Sequence, residues 1–124
     1  MSDKQILVAL QQNSRSTIIL TSLKESALVQ QVLSYLRLKG HKVFRMNAGA
    51  MKTGPDNRYR IQLAPPGCPD IIGWQKGTGK FIGVECKVRR NKRTPLQEQF
   101  ARDMQADGCI YILAYSLDDV EKVL

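Results

Sequence analysis

The chain has 124 residues, 43% of them hydrophobic, and a formal charge of +8 at pH 7. That length suits one domain with a single core, and the composition excludes an intrinsically disordered chain. The charge predicts a polyanionic partner and leaves the fold open. Three widely spaced cysteines, Cys68, Cys86 and Cys109, with His41 as the only histidine, argue against a structural zinc site and for a reducing, cytoplasmic setting. No apolar stretch reaches the ~20 residues of a membrane span, and the first residues lack the order of a secretory signal.

Residues 1–21 read as an arm, with a short helix over 3–12 and an extended connector at 18–21, ahead of a domain at 22–124. Ser22-Leu23-Lys24-Glu25 has the form of a capping box and predicts a helix start. Leu28, Val29, Val32, Leu33 and Leu36 then fall on one helical face, and Gly40 stands where a helix-ending glycine belongs. Residues 42–46 alternate as a strand. Residues 47–67 form a long segment bearing glycine and proline, with a strand at 59–63; so long a connection points to function. Residues 70–75 predict a strand, 76–79 a turn and 80–88 another strand. Thr94-Pro95 opens a second helix with proline at its first position, and Gly108 closes it. Residues 109–115 form an apolar run suited to burial on both faces, and Ser116 caps a last helix. The order α-β-β-β-α-β-α predicts an α/β fold, a mixed sheet flanked by helices.

Chemistry concentrates at Asp70 and at Glu85-Cys86-Lys87. Strand alternation puts Glu85 and Lys87 on one face and Val84, Cys86 and Val88 on the other. Asp70 begins the preceding strand, its approach stiffened by Pro65, Pro66 and Pro69. Pairing of the two strands through the 76–79 turn brings Asp70 near Glu85. Adjacent carboxylates repel unless a cation lies between them, and hard oxygen ligands suit Mg²⁺ or Mn²⁺. Such an ion activates water and polarises a phosphoryl oxygen, and Lys87 would orient that water or offset developing charge. The run Lys87, Arg89, Arg90, Lys92, Arg93 contains no acidic residue and predicts phosphate contacts. Arg45, Lys52, Arg58 and Arg60 flank the long segment as a second contact surface, and Tyr59 is either a base-stacking residue or packing.

Two segments elsewhere carry less. Gly77-Thr78-Gly79-Lys80 lacks the spacing, the Ser/Thr and the following helix of a phosphate-binding loop, and reads as a hairpin turn. His41, after the helix-ending glycine, reads as a surface residue and leaves no Ser-His-Asp or Cys-His arrangement.

Gly67-Cys68-Pro69-Asp70-Ile71-Ile72-Gly73, Phe81-Ile82-Gly83-Val84-Glu85-Cys86-Lys87-Val88 and Thr94-Pro95-Leu96-Gln97 resemble the PD-(D/E)xK nuclease superfamily and, within it, the VRR-NUC family. The resemblance runs from about Glu25 to the C-terminus and includes Arg45-Met46-Asn47-Ala48-Gly49. It implies a restriction-endonuclease-like fold and a Mg²⁺- or Mn²⁺-dependent DNA endonuclease. Asp70 and Glu85 would be metal ligands, with the Cys86 main-chain carbonyl as a third and Glu25 joining them; Lys87 would be the catalytic lysine and Gln97 would face the site. Glu25 is equally the third residue of the Ser22 capping box, and Gln97 that of a Thr94 box. Residues after Glu25 (Ala27, Leu28, Val29) lack the polar neighbour the resemblance leads one to expect. Stand-alone members resemble Holliday-junction resolvases, which implies a homodimer acting on branched DNA. Two alternatives stand beside this: a nuclease of flaps, duplex ends or mismatches, and a non-catalytic nucleic-acid-binding module of the same fold.

Overall fold

The structure, a computed structural model, describes residues 14–46, 50–62 and 64–124, the side chains of 14–22, 50–52 and 60–62 excepted. In chain order the elements are α1 (Ser14–Leu38), β1 (Lys42–Arg45), β2 (Ala50–Thr53), a 3₁₀ turn (Pro55–Asn57), β3 (Tyr59–Gln62), β4 (Ile71–Trp74), β5 (Phe81–Cys86), α2 (Pro95–Ala106), β6 (Ile110–Ala114) and α3 (Leu117–Glu121). The fold is mixed α/β. Four strands form one sheet in the order β1-β4-β5-β6, and β2-β3 form a separate pair. β1, β4 and β5 run antiparallel in turn, and β6 returns parallel to β5, so α2 is the crossover that a parallel return needs.

The core lies on one face of the sheet. Leu28, Val29, Val32, Leu33 and Leu36 of α1 pack with Val43, Ile71, Ile82, Val84, Cys86, Ile112 and Ala114 of the strands and Val120 of α3. Each such aliphatic side chain contributes about 1.5–3 kcal/mol on full burial. α2 covers the opposite face at β5, where a Cβ on Gly83 would meet the Met104 thioether and the Pro69 ring. α1 ends in a Schellman arrangement: Gly40 (φ 92°) donates to Arg37 O and His41 N donates to Leu36 O. Gly73 lets the β1 backbone approach β4, since a Cβ there would run into the Lys42 carbonyl and the Val43 Cα.

The helical face at 28–36, the strand positions and the 76–79 turn match expectation. Four expectations change. α1 begins at Ser14, so residues 18–21 are helical and no connector, and Ser22 does not cap a helix. Once residues 23–38 nucleate, extending the helix adds one hydrogen bond per residue fixed, which outweighs the weak propensities of the Ser, Thr and Ile upstream. The long segment is largely a hairpin, Ala50↔Gln62 to Thr53↔Tyr59, turned by Gly54 and by Asp56 and Asn57 at positive φ. β6 is a sheet edge and is only half-buried at Ile110, Tyr111 and Leu113. His41 is buried, its Nδ1 accepting the Lys76 N–H at 3.0 Å. The predicted helix at 3–12 lies outside the described residues. Among the described residues no helix is long and apolar enough to cross a membrane.

Candidate active site

The site sits where β4 begins and β5 ends, the same end of an antiparallel pair. Ile71 is opposite Val84, which places Asp70 across from Glu85. Pro69 is fully buried ahead of it. Asp70 stands one residue ahead of β4, and its side chain serves as hydrogen-bond partner of β5: Oδ2 accepts the Cys86 N–H at 2.8 Å. On the other flank the Asp70 carbonyl accepts Met46 N–H at 2.7 Å. Asp70 is thus tied to both neighbouring chains.

Glu85 is the unusual residue. It is 2% exposed, in the middle of the sheet, and a carboxylate so buried demands compensation. Gln97 Nε2 donates to its Oε1 at 3.0 Å and Lys87 Nζ lies 3.6 Å from the same oxygen. Its Oε2 is buried with no hydrogen-bond partner. Burial, then the facing Asp70, pushes the Glu85 carboxyl up to about 8. Asp70 is raised as well, by burial first, against the pull of the Cys86 N–H, Lys87 and Arg45. Glu25, half-buried on α1, is raised by burial and by Asp70 and lowered by Lys87 and Arg45. The helix that carries it started eleven residues earlier, so capping no longer accounts for Glu25.

Gln97 serves two purposes at once. Its Oε1 accepts the Thr94 N–H at 2.8 Å and its N–H donates to Thr94 Oγ1 at 3.2 Å, a complete capping box, while its Nε2 reaches Glu85. Gly67 (φ 83°) allows this, because a Cβ there would strike the Leu96 carbonyl and push the start of α2 away.

The fold therefore gathers Glu25, Asp70, Glu85, Lys87, Arg45 and Gln97. Of the Cys86 main chain, the N–H is the group that meets Asp70. The basic run divides: Arg89, at φ 55°, turns the chain, leaving Arg89, Arg90 and Lys92 exposed, whereas the Arg93 guanidinium lies 5.7 Å from the centre of the Tyr111 ring. Tyr111 is a site neighbour that strand pattern alone does not single out; its pairing with Gly83 puts it on the Glu85 face. Arg58 is exposed and 3.6 Å from Asp56. Lys52 and Arg60 pair across the β2-β3 hairpin, and their side chains lie outside the description.

Among the described residues no group of three or more His, Cys, Asp or Glu converges on one point as a metal cage would. Two hard carboxylates on facing strands, one with a buried oxygen that lacks a hydrogen-bond partner, fit a small divalent ion of the Mg²⁺ type, which binds through one or two carboxylates and keeps its waters. No protein-family model, curated protein or solved structure matches the chain.

Proposed function

We propose that this protein is a Mg²⁺- or Mn²⁺-dependent DNA endonuclease with a restriction-endonuclease-like fold of the PD-(D/E)xK, VRR-NUC kind. The observation that carries the reading is Glu85: a buried carboxyl facing Asp70, with one oxygen unpartnered and a lysine beside the other. A buried carboxyl left half-satisfied destabilises the fold, and a bound cation would offset that cost.

Asp70 and Glu85 would hold the ion, which when bound supplies Lewis-acid polarisation and a more acidic water. Glu25 would act from the rim. The Cys86 N–H and the Gln97 amide hold the two carboxyl groups in fixed orientations, so little reorganisation accompanies reaction. Lys87 offers an amine donor at the pair, suited to orienting the attacking water and to balancing charge on the phosphoryl oxygens. Arg89, Arg90 and Lys92 follow directly and would take neighbouring phosphates of the strand. The substrate that the resemblance favours is branched DNA, recognised by shape and held by a homodimer.

The test uses an end-labelled four-way junction beside linear duplex and flap DNA, with Mg²⁺, Mn²⁺ or EDTA, and the Asp70→Ala variant. Paired symmetric nicks needing both metal and Asp70 support a resolvase. Cleavage of flap or duplex alone keeps the chemistry and replaces the substrate. A non-catalytic binder of the same fold instead predicts junction retention without turnover and no effect of Asp70→Ala.

A further inference from the structure

One face of the sheet is only half covered. α2 packs on it at Gly83, but the β1-β4 side carries Phe44, Trp74 and Phe81, which are 46%, 50% and 40% exposed. Their registers align them. Lys42 is opposite Trp74, Trp74 is opposite Phe81, and Phe44 lies in the next row opposite Ile72. At the β1 edge of this face is a pocket of about 430 Å³ lined by Arg37, His41, Lys42, Phe44 and Trp74. Trp74 lies four residues along β4 from Asp70, about 13 Å, so this is a place distinct from the carboxyl pair.

The polar lining is composed of donors. His41 Nδ1 accepts from Lys76, so the neutral ring carries its proton on Nε2. Arg37 gives Nε and Nη2 to the Val43 carbonyl at 3.2 and 3.1 Å, which fixes its guanidinium plane while leaving further N–H groups. Residues 37–46 and 71–84, which build the face, contain six Lys or Arg and no Asp or Glu. Half-exposed aromatic faces bordered by cations suit a polyanion whose bases are available for stacking. A second copy of the chain suits them poorly, because a two-fold contact would set Lys42, Lys76 and Lys80 against their own counterparts.

We propose that the Phe44–Trp74 pocket at the β1 edge binds an unpaired nucleotide of a single-stranded nucleic acid, its base stacked on Trp74 and its phosphates met by Lys42 and Arg37. This goes beyond the endonuclease reading and does not require it.

Trp74 is the only tryptophan in the chain, so its emission reports on this face directly. The protein is titrated in EDTA with oligo-dT of about fifteen nucleotides and with duplex of equal length, by tryptophan emission and by anisotropy of labelled DNA. Saturable quenching by the single strand, absent with duplex, is expected. Phe44→Ala and Trp74→Leu, each checked for folding by circular dichroism, should weaken oligo-dT binding about ten-fold. Binding that leaves Trp74 emission unchanged, or that both variants retain at full affinity, overturns the proposal, as does absence of single-strand binding. Emission that shifts with protein concentration alone, with a dimer mass by light scattering, assigns the face to self-association and also overturns it. Because EDTA removes cleavage, none of these outcomes bears on nuclease activity, which the junction assay reads separately.

Discussion

Gln97 and Glu85 are joined by a 3.0 Å hydrogen bond, and the same amide closes the helix cap at Thr94. The cap fixes which end of the amide faces the carboxyl. Gln97→Ala is expected to lower stability by about 1–2 kcal/mol by chemical denaturation. Gln97→Glu keeps the capping box, since glutamate serves that position equally, but brings another carboxylate against Glu85. It should therefore leave α2 intact and raise the divalent-ion concentration needed for binding. Equal damage from both variants would reduce Gln97 to a cap.

Lys87 lies beside Glu85 Oε1 at 3.6 Å and is mostly buried. If it acts on the attacking water or the phosphoryl charge, Lys87→Ala lowers single-turnover cleavage by about 10²–10³-fold while junction affinity changes little. Intact metal-dependent cleavage in this variant would sink the proposed mechanism.

The raised pKa of Glu85 has a pH signature. A carboxyl whose folded pKa of about 8 exceeds its unfolded value binds its proton more tightly when folded. That stabilisation is full below the unfolded pKa of about 4.3 and is lost as pH rises through 8. In EDTA the melting temperature should fall by several degrees between about pH 5 and pH 8, and Glu85→Gln should flatten the decline. Mg²⁺ added at pH 8 should recover stability in wild type and not in Glu85→Gln. A flat wild-type profile would mean the pair is relieved in some other way.

Gly73→Ala tests the packing that holds β1. Its Cβ meets main-chain atoms of Lys42 and Val43, which cannot swing aside. A loss of about 2–3 kcal/mol is expected, read from denaturant midpoints. Neutral behaviour would show that β1 slides on β4.

The exposed basic turn is expected to act through phosphates. Replacing Arg89, Arg90 and Lys92 by Gln should weaken DNA binding and reduce the slope of log affinity against log salt by up to about 3. An unchanged slope would remove the turn from the interface.

Much of this arrangement was readable from local pattern. Asp70 opposite Glu85 follows from two alternating segments around a glycine-bearing turn, and the buried stripe 28–36 from helical spacing alone. Residues 14–21 were not legible, because their Ser, Thr and β-branched residues favour no helix until one propagates into them. His41 reads as surface because it follows a stop glycine. As the C″ residue of a Schellman motif it folds back onto the helix end, and the Lys76 N–H that fixes its ring comes from 35 residues away. The hairpin at 50–62 had a signal in Gly54-Pro55-Asp56-Asn57, a turn flanked by short strands, that a reading intent on one long loop passes over. Arg93 belonged to a charge run by composition, yet its place over Tyr111 depends on a parallel strand pairing that no local pattern reveals.

The pairing of β4 with β5 also determines which heritable changes this protein tolerates. Glu85 stands on one face and Val84 and Cys86 on the other because Ile71 is opposite Val84 and not its neighbour. A single codon gained or lost between Phe81 and Glu85 would exchange the two faces, sending a carboxylate into the aliphatic layer and a valine toward Asp70. Codons added within the exposed turn at 76–79 alter neither face. Length variation among descendants of this chain should accumulate in that turn and be purged from the six residues of β5.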